Sequence, residues 1–209
     1  LDAIGDEFQH KFIQRGVHIS TLQEDPLRPT RIVLVRRMQD GERPFQGFAG
    51  DQRDGFSDQA LQPVALMSTA RWLLVGTISL ASPQSGHALL DAVAQARSQG
   101  IALALDVNWR PTFWDPVADP VAGPTQAAQS AIRPLLEQAA LIKVAREEAL
   151  WFFAGDDPGV IASGLPQRPD VVVTDGAAPV RWCIGCESCT QPALSPSQVV
   201  DTTGAGDAF

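Results

Sequence analysis

The residues best suited to chemistry stand in one short run, Asp201-Thr202-Thr203-Gly204-Ala205-Gly206-Asp207-Ala208-Phe209. Small residues at 204–206 let successive backbone N–H groups approach an anion closely, and a helix beginning there would turn its positive end to the same point. Gly204, Ala205 and Gly206 therefore read as an oxyanion cradle. A carboxylate directly after it, Asp207, can take the proton of a hydroxyl held against that anion, which is the arrangement phosphoryl transfer requires. The same run also reads as a Gly-rich turn capping a helix, with Asp207 as an ordinary first-turn acid.

Three other polar groups follow apolar runs: Asp106-Val107-Asn108-Trp109-Arg110, Lys143-Val144-Ala145-Arg146-Glu147-Glu148 and Thr174-Asp175-Gly176-Ala177. Each also reads as turn and cap residues. The elements that must position them are predicted from periodicity. Residues 6–15 have helical spacing ended by Gly16, and residues 30–37 and 43–48 form a hairpin about a turn at 39–42. Beyond them, strands at 72–79, 101–108, 141–144 and 171–174 alternate with helices at 84–99, about 125–139 and from near 146. A Pro-rich loop spans 111–124, and residues 180–184 read as a further strand. Such alternation predicts βαβ units and a mostly parallel sheet, with ligands at the carboxyl ends of the strands.

Composition narrows the function classes. At 209 residues, 44% hydrophobic and 19% charged, the chain is predicted to be a packed globular α/β domain. A net charge of −8 disfavours nucleic acid and acidic membrane surfaces as partners. Apolar runs are too short to cross a bilayer, no secretory signal is expected, and a cytoplasmic location follows. Neither lysine, Lys11 or Lys143, follows a G-x-x-x-x-G run, which excludes a Walker-type phosphate loop. Cys183, Cys186 and Cys189 have tempting metal spacing, but a structural zinc wants four ligands and no histidine lies near. They are expected to be reduced thiols at a strand end and its turn.

In order and spacing, these motifs resemble the ribokinase-like (PfkB) carbohydrate kinases. Asp201–Phe209 is similar to that family's second signature, and Ile4-Gly5-Asp6-Glu7-Phe8 to its early I-G-x-D-x-F-G segment. Gly16-Val17 with Pro29-Thr30 matches a G-V…P-T spacing. Asp40–Phe45 resembles the lid hairpin of fructokinases, Asp106–Trp114 their D-x-N-x-R-x-x-x-W, and Ile142–Glu148 their K-x-S/N-x-x-E. The resemblance implies a ribokinase-like three-layer fold with a mostly parallel central sheet and a small β lid. Residues 1–209 would be an incomplete kinase domain, with 30–48 part of the lid and 68–209 the α/β core.

What the resemblance implies for the site follows residue by residue. Asp207 is the general base, and Gly204, Ala205 and Gly206 form the anion hole. Asn108 and Arg110 lie near the phosphates, while Thr174 and Gly176 match a T-x-G nucleotide loop. Glu148 organises the waters of Mg²⁺, and Asp201 and Thr203 match part of a monovalent-cation site, a place for K⁺. Phe45 and Phe48 are lid residues facing the substrate.

The implied activity is transfer of the γ-phosphoryl group of Mg·ATP to a primary hydroxyl of a hexose, fructose first. The alternatives are a kinase of another sugar or sugar acid, such as ribose or 2-keto-3-deoxygluconate, and an inactive nucleotide-binding relative. A homodimer through the β lid is also implied. Ala145 stands where the family often has Asn or Ser, Pro179 where its nucleotide loop has Gly, Phe48 where fructokinases often have Tyr, and Ala49 in place of a frequent Arg. By the same resemblance the 209 residues are expected to be an internal fragment, inactive alone and exposing apolar surface.

Overall fold

The protein is seen in a computed structural model, which describes residues 2–36, 45–49, 55–66 and 69–194. Helix α1 spans Ala3–Gln14, and Asp2 caps it by accepting the N–H of Gly5 at 2.8 Å, a donor the first turn leaves open. This cap starts the helix ahead of the expected residue 6. The Asp2 carboxylate also takes the N–H and hydroxyl of Thr30 at 2.7 and 2.9 Å, fastening α1 to the segment that enters the hairpin. The Gly5 and Thr30 N–H groups hold the Asp2 carboxyl below the usual carboxylate range.

Strands β1 (Ile32–Val35) and β2 (Phe45–Ala49) pair antiparallel, Ile32 opposite Ala49 and Val33 opposite Phe48. The expected hairpin is therefore present, and its turn at 39–42 lies outside the described residues.

A second sheet holds β3 (Trp72–Gly76), β4 (Ala102–Asp106), β5 (Leu141–Ala145), β6 (Asp170–Thr174), β7 (Val180–Ile184) and β8 (Glu187–Gln191), in that spatial order. The first four strands are parallel and the last two pairings antiparallel. Helices α2 (Pro83–Ser98), α3 (Pro111–Trp114), α4 (Gln126–Gln138), α5 (Arg146–Phe153) and α6 (Pro158–Gly164) fill the connections. This is the mostly parallel α/β fold with a small added β sheet that the motif order implies.

Alternate residues of the parallel strands decide which face is packed. Val75, Leu103, Leu105, Ile142, Val144, Val171 and Val173 join Val93, Ile132, Leu135, Leu136, Ala149, Phe152 and Ile161 in one buried cluster. Helices α2, α4, α5 and α6 thus share one face of the sheet. On the other, Trp72 and Leu74 stay 52% and 73% exposed.

Several boundaries depart from expectation for visible reasons. The strand beginning at Trp72 stops at Gly76 rather than residue 79. There the buried Thr77 hydroxyl donates to the Val107 carbonyl at 2.6 Å and the chain turns through a 3₁₀ helix, Ile78–Ala81. The segment expected as a loop from 111 opens with the single turn α3, which Pro111 begins without losing a needed N–H. Helix α6 and strand β8 were not expected. Asp157 caps α6 through the N–H of Val160, and β8 is exposed along its length, so no apolar alternation marks it.

Candidate active site

Parallel register aligns the carboxyl ends of adjacent strands: Gly76 stands beside Asp106, Asp106 beside Lys143, and Ala145 beside Thr174. Three expected groups are thereby brought to one rim of the sheet. They are Asn108 and Arg110 after β4, Glu148 in the first turn of α5 after β5, and Thr174 and Gly176 at the end of β6. Asn108 and Gly176 have positive φ, +43° and +52°, so both loops turn sharply as they leave their strands.

Glu148 is 5% exposed, and both its oxygens are engaged. Oε1 accepts the N–H of Trp109 at 2.6 Å, and Oε2 the N–H of Ala145 at 2.8 Å. One carboxylate therefore closes the first turn of its own helix and holds the loop after the neighbouring strand. Burial pushes its carboxyl above the ordinary glutamate range. The two N–H groups and Arg110 act against that shift, and the charge of Asp106 adds to it.

Asp106 makes a 3.0 Å ion pair with Lys143 through Oδ2, while its buried Oδ1 has no hydrogen-bond partner. An unpartnered buried carboxylate oxygen whose charge is felt at Glu148 suits a cation or its waters, and Mg²⁺ usually keeps several of its waters. The residues present thus fit a hydrated divalent ion. Arg110 is exposed and turns one N–H to the Trp109 carbonyl at 2.8 Å. Thr174 Oγ1 reaches back to the Val144 carbonyl at 3.5 Å, and the Gly176 position is open space where a side chain would stand. Beside that loop, Arg146 lies 2.8 Å from Asp156 and 3.8 Å from Asp175, and Arg181 shares Asp156 at 2.9 Å. This network ties α5 and β7 to the residues following Thr174.

The aromatic residues of the small sheet gather at its contact with the core. Phe48 meets Phe45, Phe56 and Phe113 edge-on at centroid distances of 5.1, 5.7 and 5.0 Å. Sequence reasoning passed over Arg31, which enters this cluster; a lone arginine at the head of an Ile-Val-Leu-Val strand was the available signal. The pairing of Asp106 with Lys143 needed the strand register.

Asp201, Thr203, Gly204, Ala205, Gly206 and Asp207 lie outside the described residues. Among the described residues, no group of three His, Cys, Asp or Glu side chains is placed to hold a metal, and no helix is long and apolar enough to cross a membrane. Cys183 is buried, while Cys186 and Cys189 are exposed, and all three are free thiols.

Known proteins match this architecture. The model of the pfkB family carbohydrate kinases matches residues 1–209. A fructokinase of Vibrio alginolyticus is 30% identical over 216 residues, taking in 100% of this chain and 65% of its own length. The structure of fructokinase from Vibrio cholerae O395 with fructose, ADP and calcium ion has a TM-score of 0.77 at 27% identity, covering 99% of this chain and 64% of that one. A double mutant of the same enzyme, with fructose, ADP and potassium ion, gives 0.78 at 27% identity, with the same coverage. The chain thus spans just under two thirds of the proteins it matches. With the whole of its length matched by the family model and its fold shared with a solved fructokinase, the chain belongs to the pfkB family of carbohydrate kinases.

Proposed function

We propose that the full protein is an ATP-dependent sugar kinase that transfers the γ-phosphoryl group to a primary hydroxyl of a free hexose, with fructose the favoured acceptor. The observation that carries this reading is the convergence of Arg110, Glu148 and Gly176, from three separate loops, on one rim of the parallel sheet. Its support beyond geometry is the fructokinase identity of the relatives.

In the proposed reaction a lone pair of the sugar hydroxyl oxygen attacks the γ-phosphorus. The new O–P bond forms as the bond to the β-phosphate oxygen breaks, ADP leaves with that electron pair, and the hydroxyl proton passes to the carboxylate of Asp207. Backbone N–H groups of Gly204, Ala205 and Gly206 hold the transferring oxygens, and Asn108 and Arg110 face the remaining phosphate charge. Thr174 and Gly176 form the wall of the nucleotide site. Bound Mg²⁺ would neutralise phosphate charge, held through water by Glu148 with Asp106 beside it. Asp201 and Thr203 would take K⁺, a reading supported by potassium in the Vibrio cholerae double mutant. The small sheet, with Phe45 and Phe48, acts as a lid over the sugar. Its strand residues Ile32–Val35 are all exposed, which supports a homodimer formed through the lid, readable by light scattering.

The test is a coupled ADP-release assay on the full-length protein over a panel of neutral sugars and sugar acids. Fructose should give the highest kcat/KM, and Asp207→Asn should lower kcat by at least ~10² with little change in either KM. Preference for ribose or a sugar acid would reassign the acceptor. Retained turnover in Asp207→Asn would overturn the assignment of the base.

A further inference from the structure

We infer that Arg31 is a positioning residue that locks the small sheet to the segment following Arg110, so that the posture of the lid and the place of the phosphate-side loop are set together. The guanidinium carbon lies 4.6, 4.3 and 4.6 Å from the ring centroids of Phe48, Phe56 and Phe113. These rings come from three separate places: strand β2, the segment returning from the sheet, and helix α3. One cation therefore meets three faces that are distant in sequence, and its side chain is only 10% exposed. An arginine so desolvated gains more from ring faces than an exposed one.

The charge is balanced and anchored on the core side. Nε lies 3.1 Å from each carboxylate oxygen of Asp58, and Nη2 lies 3.0 Å from Oδ2. The segment carrying Asp58 is itself fastened to α2 and the residue before it. The buried Ser85 hydroxyl donates to the Asp58 carbonyl and the Ser82 hydroxyl to the Gln59 carbonyl, each at 2.7 Å. Arg31 is thus held at its tip by the core, with its guanidinium carbon over the rings of Phe48, Phe56 and Phe113. Phe113 is three residues beyond Arg110 in the same segment, so a movement of Phe48 is felt where Arg110 sits. A lysine has the charge but neither the plane nor the forked donors this geometry uses.

The inference rests on the sugar-kinase reading and deepens it, and its failure is separable from failure of that reading. Wild-type, Arg31→Met, Arg31→Lys and Phe113→Leu forms of the full-length protein are compared well below their melting temperatures. Arg31→Met should raise both KM values, that for the sugar about tenfold and that for ATP about threefold because Arg110 shifts with the lid, and should raise ATP hydrolysis without sugar about threefold, because a loosened lid admits water. Arg31→Lys should recover less than half of each effect. If Arg31→Met does not fold, Phe113→Leu must show the same changes. A purely structural arginine would lower the melting temperature and leave all three readings unmoved, and that result overturns the inference. The clamp is also read without substrate, in a double-mutant cycle of Arg31→Met and Phe113→Leu on urea unfolding. The two effects on the unfolding constant should depart from independence by about fivefold, the size of one ring contact. Independent effects overturn it. A wild-type protein that phosphorylates no sugar condemns the functional reading instead, and the unfolding cycle then judges the clamp.

Discussion

Glu148 Oε1 accepts the backbone N–H of Trp109 at 2.6 Å, so a side chain in the first turn after β5 holds the loop that leaves β4. With Oε2 on the Ala145 N–H, this carboxylate is a joint between two of the three loops on the rim, in addition to any part it plays toward a metal. The two roles predict different rankings of variants. Glu148→Ala leaves two N–H groups without an acceptor, at a cost of about 2–5 kcal/mol. Glu148→Gln keeps one acceptor oxygen and removes the buried charge, so its cost should be about 1–2 kcal/mol. Urea unfolding of both variants is the measurement. Equal stability of the Ala and Gln forms would show that the joint contributes nothing.

Ala145 precedes α5 with φ −72° and ψ 155°, the extended backbone of an N-cap, yet has no side-chain acceptor to offer. Glu148 supplies the reciprocal half of the cap alone. Ala145→Asn should therefore stabilise the protein by about 0.5–1 kcal/mol, since Asn at this position can accept a first-turn N–H. A melting temperature higher by about 1–3 °C is expected. An unchanged or lower value would mean the rim has no room for the added amide.

How far the sequence was legible varies with the kind of contact. Strands β5 and β6 were readable because Ile142, Val144, Val171 and Val173 recur at period two in short apolar runs, and α4 because Thr125 caps an amphipathic stretch. Strand β8 was not, because all its residues face water and its only partner among the described residues is β7. Loops at the carboxyl ends of parallel strands could be picked out by rule, with Asn108, Arg110, Glu148 and Thr174 among them. That both oxygens of Glu148 are taken by backbone donors from two loops follows only from the β4–β5 register, and nothing local relates Arg31 to rings at 48, 56 and 113. The Gly-Ala-Gly run at 204–206 is the opposite case, a cradle proposed from sequence whose residues lie outside the described ones.

Asp156 bridges Arg181 and Arg146, and these bonds, that to Arg181 foremost, hold its carboxyl below the ordinary value of 3.8. A depressed carboxylate adds stability that is present above the unfolded pKa and is lost as pH falls through the folded one. The difference in melting temperature between wild type and Asp156→Asn should therefore be largest near about pH 6 and shrink below about pH 4. Because Arg146 also reaches Asp175, the same variant should loosen the loop after β6, and amide exchange at Gly176 should quicken at about pH 6. A melting difference constant across pH would mean the bridge carries no net stability.

In the β7–β8 hairpin Cys183 lies opposite Ser188 and Trp182 opposite Cys189. Directly opposed residues share a face and neighbours alternate, so Cys183 and Cys189 point to opposite faces of the sheet. Cys186 sits in the turn between them at φ +71°. Thiolates so arranged cannot converge on one ion, and C-x-x-C spacing, which suits a metal on a tight loop, loses its meaning on a strand. A water-soluble thiol reagent should label Cys186 and Cys189 in the native protein and Cys183, 6% exposed, only after unfolding. Zinc retained one-for-one through dialysis, or native protection of Cys186 and Cys189, would contradict this geometry.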